Sequence, residues 1–327
     1  MRVISLFSGC GGMDLGFVQA GHEIVWSNDC WHDAVQTYRK NIGNHIVCSE
    51  IEKVDLNSIP DGDIVIGGFP CQGFSVANTK RTSQDKRNGL YKFFVKIVTA
   101  KNPQFFLAEN VKGILNLDGG AAFKRILRDF SDAGYSCTHV LLNAANFGVP
   151  QFRQRVFILG VRNDVEAHLE FPPKATHFDK GIQGGRKFIS VAEAFKGLPD
   201  PDDKHNLVNH VYTQYKVKYN GYISNRKLDP SRPAPTVTAR GDDRGGAVIM
   251  PHPFQKRRMS CRELAIVQGF PLKFEFYGTM TSVYRQIGNA VPPPLAKAIA
   301  LELSSVRIKE LAVNYSRNIL EEQLVFD

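Results

Sequence analysis

The sequence predicts an α/β protein built on a mostly parallel, doubly wound sheet, with a second, smaller, loop-rich domain that contains short β pieces. Three observations predict it. Through the first half, short apolar runs alternate with amphipathic stretches, the rhythm of strands joined by crossover helices. The first run passes directly into Ser8-Gly9-Cys10-Gly11-Gly12, the position at which such sheets bring main chain close to a ligand. From Phe171 to about Gln255 the texture shifts to Pro, Gly, Asp, Asn and Lys, and regular periodicity returns only afterwards, which marks an inserted unit.

Taken in order, Val3 to Phe7, Glu23 to Ser27, Ile64 to Gly67, Phe105 to Ala108, His139 to Asn143 and Val156 to Val161 are compact apolar runs expected as strands. Met13 to Gln19, Leu90 to Ala100 and Ala122 to Ala133 read as helices between them. In the inserted stretch only Pro235-Thr-Val-Thr and Gly246-Ala-Val-Ile-Met have β texture. Ser260 to Gln268 resumes the helical period, with Ser260 and Glu263 spaced as a capping box, and Leu295 to Ser304 continues it as an amphipathic helix. The domains are therefore placed at residues 1–171 with 257–327, and at 172–256.

The 327 residues are 43% hydrophobic and 22% charged, ordinary for a globular chain. The formal charge of +9, from 41 basic against 32 acidic side chains, is uneven. Residues 151–260 hold 19 basic and 11 acidic groups, so nearly all the excess lies there. Such a stretch either engages a polyanion, by displacing counterions from phosphates, or is a solvated basic surface. The six cysteines show no paired or metal-type spacing, which points to reduced thiols and no metal site. With no signal core and no run of 18 apolar residues, a soluble cytoplasmic protein is expected.

The strand ends carry the chemistry. The glycine turn departs from the full dinucleotide fingerprint, which disfavours a nicotinamide dehydrogenase. Asp29, about 20 residues past the turn, stands where acidic residues accept hydrogen bonds from ribose hydroxyls. Ile64-Val-Ile-Gly-Gly leads to Phe69-Pro70-Cys71-Gln72, setting a cysteine beside the same crevice. Phe105-Phe-Leu-Ala-Glu109 ends an apolar strand in a carboxylate, where desolvation raises the pKa and lets the group hold or deliver a proton.

Five strings, Phe7-Ser-Gly-Cys-Gly-Gly, Pro70-Cys71-Gln72, Glu109-Asn110-Val111, Gln151-Phe-Arg153-Gln-Arg155 and Gln286-Ile-Gly288-Asn289-Ala-Val, occur in this order over nearly the whole chain. Together they resemble the DNA cytosine-5 methyltransferase family, of the bacterial restriction-modification type, with a Rossmann-like catalytic sheet. The resemblance implies S-adenosylmethionine as cofactor and a cytosine flipped out of duplex DNA. Cys71 would be the nucleophile toward C6, and Glu109 would contact N3 and the exocyclic amine. Asn110 would orient the loop and Arg155 would bind cytosine O2, while Arg153 is either structural or binds the same loop. For the cofactor it implies the turn of Phe7, Ser8, Gly9, Gly11 and Gly12, Asp29 on the ribose, Glu50 and Ile51 at the adenine, Pro70 on the wall, and Asn289 with Ala290 completing the methionine pocket. Two departures stand out: Glu50 replaces the usual Asp, and Cys30 follows Asp29 where an aromatic is frequent, with Trp31 displaced by one position.

The polar stretch from Ser75 to Gly89, with Lys80, Arg81, Lys86 and Arg87, suits a loop that closes over phosphates. Sequence reading falls to residues of about 172–256, where Arg226, Lys227, Arg232, Arg240 and Arg244 lie among glycines and turn residues; arginine can contact guanine O6 and N7 bidentately. Monomeric action on duplex DNA is expected, with a cognate restriction endonuclease as companion. The alternatives are RNA (tRNA) cytosine-5 methylation, or a catalytically silent DNA-binding regulator.

Overall fold

The computed structural model describes residues 1–70, 89–179, 184–219, 225–239 and 249–310. A seven-stranded sheet is its centre: β1 (Arg2–Leu6), β2 (Glu23–Asp29), β3 (Ile46–Cys48), β4 (Ile64–Gly67), β5 (Phe105–Val111), β6 (Tyr135–Asn143) and β7 (Gln154–Arg162), in the spatial order β3-β2-β1-β4-β5-β7-β6. The first five strands run parallel, and β7 is antiparallel to both β5 and β6. Connecting helices are α1 (Gly12–Gln19), α2 (His32–Asn41), α3 (Leu90–Lys101) and α4 (Ala121–Asp132).

Period-two alternation sends each central strand's side chains into two different cores. Val3, Ile64, Ile66, Phe105 and Leu107 join the apolar cluster that also contains Phe17 of α1. Ile4, Leu6, Val65 and Phe106 join the opposite one, with Phe94 of α3 and Phe130 of α4. Continuous apolar runs in these strands follow directly, since a sheet covered on both faces has no polar side.

Past the sheet come β8 (Val165–His168), β9 (His177–Phe178), β10 (Arg186–Lys187) and the one-turn α5 (Val191–Ala194). Then follow α6 (Cys261–Val267), α7 (Met280–Asn289), α8 (Pro293–Ser304) and β11 (Arg307–Glu310), which pairs antiparallel with β8. The Ser260 capping box forms as expected. Pro235 to Thr238 is not a strand: Ala234 alone bridges to Gln151, since proline lacks a ladder donor. Ile249 and Met250 likewise lie outside any strand. Val191, Phe195, Val237 and Met250 share an apolar core with α6 and α7, against Met259, Leu264 and Ile287, whereas Leu295 and Ile299 of α8 pack on the sheet. Core packing therefore continues across residue 257. No helix among the described residues is long and apolar enough to cross a membrane.

Candidate active site

Beside β1 the strand order turns back: the chain first builds β2 and β3 on one side, then β4 and β5 on the other. At such a point the carboxyl ends of neighbouring strands part and leave a crevice. Here it is a cavity of about 900 Å³ that receives the ends of β1, β2, β4 and β5, within the size range of cofactor sites.

Its first wall is the glycine turn. Phe7 is held at φ 53, a strained backbone for a residue with a side chain. The Ser8 amide and hydroxyl donate to the Asn28 carbonyl at 3.0 and 3.1 Å, and Gly9 N–H donates to Asp29 Oδ2 at 2.8 Å. Trp31 N–H donates to Asp29 Oδ1, also at 2.8 Å. Both Asp29 oxygens thus accept main-chain donors, and a carboxylate has about four acceptor positions, so it retains acceptor capacity for a ligand hydroxyl. Burial raises the Asp29 pKa against the pull of the Trp31 and Gly9 amides.

Asn28 donates to the carbonyls of Val47 and Ser49, fixing the turn that brings Ser49, Glu50 and Ile51 to the cavity. Ile51 is buried there, whereas Glu50 is largely exposed and paired with Lys53 at 2.7 Å. Cys30 and Trp31 both reach the cavity wall; the Arg285 guanidinium, which is not part of that wall, stacks 4.9 Å from the Trp31 ring. The displaced aromatic therefore still lines the cavity. Asn289 and Ala290 close this end, and the start of α1 is so near them that a Cβ on Gly12 would lie 2.4 Å from the Val291 carbonyl.

The other end holds a carboxylate and a guanidinium. Arg155 opposes Val111 in the β5–β7 ladder, and Phe157 opposes Glu109, so Glu109 and Arg155 are diagonal neighbours on one face. Arg155 Nε lies 2.9 Å from Glu109 Oε1, with the two side chains 12% and 11% exposed. Burial raises the Glu109 pKa, opposed by the charges of Arg155 and Arg153. Asn110 donates to the Phe69 carbonyl at 3.1 Å and accepts from Val111 N–H. It thereby holds the Phe69-Pro70 segment, itself part of the wall, immediately before Cys71.

Arg153 also borders the cavity, but it is 1% exposed and its terminal nitrogens donate to the carbonyls of Val237, Gly288 and Ala290. Arg226, Lys227 and Arg232 are exposed and absent from the cavity wall. The Arg232 guanidinium rests 5.7 Å from the Phe152 ring. Cys71, Ser75, Lys80, Arg81, Lys86, Arg87, Arg240 and Arg244 lie outside the described residues. Sequence reasoning did not single out Asp14, which lines the cavity in full burial and accepts from Ser5 and Tyr38 at 3.0 and 2.9 Å. Its signal was present in the sequence, a carboxylate two residues past the glycine cluster.

An α/β fold with a cavity of this size at its switch point, and an acid paired with a guanidinium on its wall, defines the class of enzymes that bind a nucleoside-bearing ligand at the strand ends. Comparison with known proteins is more specific: the family of C-5 cytosine-specific DNA methylases matches residues 1–305. The chain is 38% identical to the Type II methyltransferase M.NgoFVII of Neisseria gonorrhoeae, over 99% of this chain and 91% of that protein. It is 34% identical to the Type II methyltransferase M.BspRI of Lysinibacillus sphaericus, over 96% and 84%. Among solved structures, an Escherichia coli prophage protein assigned as a DNA modification methyltransferase superposes with a TM-score of 0.70 at 26% identity, covering 93% of this chain and 98% of that one. Schizosaccharomyces pombe Dnmt2 methyltransferase shares the fold with a TM-score of 0.67 at 19% identity, with the same coverage. The chain belongs to the C-5 cytosine-specific DNA methylase family and is a DNA (cytosine-5) methyltransferase, as its motifs indicated.

Proposed function

We propose that this enzyme binds S-adenosylmethionine in the cavity and methylates C5 of a cytosine flipped out of a short duplex DNA sequence, through a covalent bond between Cys71 and C6. The observation that carries the reading is the Glu109–Arg155 pair at 2.9 Å on the wall of the same cavity that the Gly9–Asp29 turn begins. The donor set fits the cofactor. Asp29 has acceptor capacity for ribose hydroxyls, and Ile51 and Trp31 give an apolar and aromatic border for the base. The turn residues Phe7, Ser8, Gly9, Gly11 and Gly12, with Pro70, Asn289 and Ala290, line the remainder. When bound, S-adenosylmethionine supplies the electrophilic methyl group that C5 accepts. Cys30 contributes wall but no stacking, and Glu50, turned to Lys53, can reach an adenine amine only by leaving that pair.

Cytosine C5 is a weak nucleophile until a thiolate adds to C6. In that addition the Cys71 sulfur forms a bond to C6, and the electrons of the C5–C6 double bond are released toward the ring. Glu109, its pKa raised by burial, places a proton at N3 and so neutralises the charge that develops. Arg155, fixed by Glu109, donates to cytosine O2. Once C5 is methylated, it loses its proton to a base, the C6–S bond breaks, the thiolate leaves, and N3 returns its proton to Glu109. Asn110, by gripping the Phe69 carbonyl, orients the segment that delivers Cys71.

Duplex DNA is held by Ser75 and the cationic side chains that follow it, Lys80, Arg81, Lys86 and Arg87, and is read by the stretch containing Arg226, Lys227, Arg232, Arg240 and Arg244. The Type II designation of the relatives supports a role in protecting DNA from a cognate endonuclease. Transfer of labelled methyl from S-adenosylmethionine to mixed-sequence duplex DNA, followed by conversion sequencing, tests this: label at C5 within one motif is expected, and wild-type levels in Cys71→Ser would contradict it.

A further inference from the structure

Arg153 offers a charged group to main-chain atoms alone, and those atoms belong to two different parts of the protein. Its Nη1 donates to the Val237 carbonyl at 2.7 Å, and its Nη2 to the Gly288 and Ala290 carbonyls at 2.8 and 3.0 Å. Val237 lies in the segment that runs on into residues 240–248; Gly288 and Ala290 form the cavity wall at the cofactor end. The neighbours of Arg153 repeat the same pattern. Gln151 accepts from Val237 N–H at 2.8 Å and donates to Gln268, which in turn donates to the Ala290 carbonyl at 2.6 Å. Thr236 donates to the Phe152 carbonyl at 2.7 Å, and Phe152 N–H donates to the Ala234 carbonyl at 2.8 Å. Contact between the two parts is also direct: a Cβ on Gly288 would lie 2.5 Å from the main chain of Thr238 and Ala239.

We infer that Arg153 is a positioning residue that couples DNA engagement to cofactor binding, by tying the segment Ala234–Thr238 to the Gly288–Ala290 wall. The inference rests on the cofactor and DNA reading above. Two sequence-distant carbonyl sets converge on one planar fork, which fixes their separation in a way that a flexible ammonium cannot reproduce. A displacement of the recognition stretch is therefore passed to the cofactor wall through hydrogen bonds of which those to Val237 and Gly288 are buried and that to Ala290 is partly buried, where leaving a partner unpaired is costly. Arg153 also reaches Glu109 electrostatically, so the same residue is felt at the substrate end.

The test is calorimetric binding of S-adenosylhomocysteine, without DNA and with a duplex carrying the motif that conversion sequencing defines. In the wild type, DNA is expected to tighten the ligand by about tenfold or more, within the usual range of coupling between sites. Arg153→Lys is expected to reduce that tightening to about threefold or less, so that affinity falls more with DNA than without it. Unchanged tightening in Arg153→Lys overturns the inference, as does a loss of affinity equal with and without DNA, which a merely structural role would give. If Arg153→Lys does not fold, the near-isosteric Thr236→Val carries the test: reduced tightening supports the coupling and full tightening overturns it. A wild type that binds S-adenosylhomocysteine but gains nothing from DNA overturns the coupling alone. A wild type that binds none overturns the cofactor reading with it.

Discussion

The Nε of Arg155 lies 2.9 Å from Oε1 of Glu109 because β7 runs antiparallel to β5. A parallel neighbour would have carried its first residues to the opposite end of the sheet. The reversal brings a cation from the start of one strand to a carboxylate at the end of another, inside the crevice. Glu109→Gln removes the transferable proton and leaves the fold's apolar contacts in place. Methyl transfer under single-turnover conditions is expected to fall by about 10²–10⁴-fold, the range for a general acid or base, with S-adenosylhomocysteine affinity within a few-fold of wild type by calorimetry.

Asp14 predicts a pH dependence of stability. Burial pushes its pKa up to about 6, against hydrogen bonds from Tyr38 and Ser5 that lower it. The folded value thus exceeds the unfolded one, so the folded state binds the proton more tightly. The stabilisation is full below the unfolded pKa of about 4 and is lost as pH rises through about 6. That difference in proton affinity is worth about 3 kcal/mol between acidic and neutral conditions. Thermal melts of wild type and Asp14→Asn across pH 4.5–8 should show the wild type losing stability relative to the variant as pH rises; parallel curves would contradict it.

Trp31 and Trp26 are the two tryptophans of the chain. Trp26 is buried in the core beneath the sheet, and Trp31 faces the cavity. Cofactor binding should therefore perturb the fluorescence of Trp31. The change is expected to vanish in Trp31→Phe, with affinity weakened by less than about tenfold because the ring is kept, and to persist in Trp26→Phe.

How far the site could be read from the sequence followed from what kind of contact each part makes. Strand ends with chemistry on them, Asp29 closing β2 and Glu109 near the end of β5, are marked by a polar residue closing an apolar run. The capping box at Ser260 and Glu263 is equally local. The direction of β7 is not, since Val156 to Val161 has the same pattern whichever way it runs. Three-residue β3 is too short for periodicity to register. Arg153 shows the limit most clearly: alternating arginines on a strand look alike in sequence, yet Arg155 pairs with a carboxylate while Arg153 is consumed by carbonyls from Val237, Gly288 and Ala290. Trp31 lines the cavity although it stands one position later, since β2 has ended at Asp29 and the next residues no longer alternate between faces.

The basic residues Lys80, Arg81, Lys86 and Arg87 follow Cys71 closely in sequence. If they neutralise phosphates, replacing all four by glutamine should make the salt dependence of DNA binding shallower, by up to about 0.9 per lost contact in log–log slope. Fluorescence anisotropy with a labelled duplex over a series of salt concentrations measures it, and an unchanged slope would remove these residues from the DNA contact.

The covalent step is tested most directly with a duplex in which cytosine is replaced by 5-fluorocytosine. Fluorine at C5 cannot leave as a proton, so after methylation the C6–S bond has no route to break. Incubation with S-adenosylmethionine, proteolysis and mass spectrometry should find one modified peptide, with the nucleotide attached at Cys71 and none in Cys71→Ser. An adduct at another residue, or catalytically competent enzyme that forms no adduct, would contradict the mechanism.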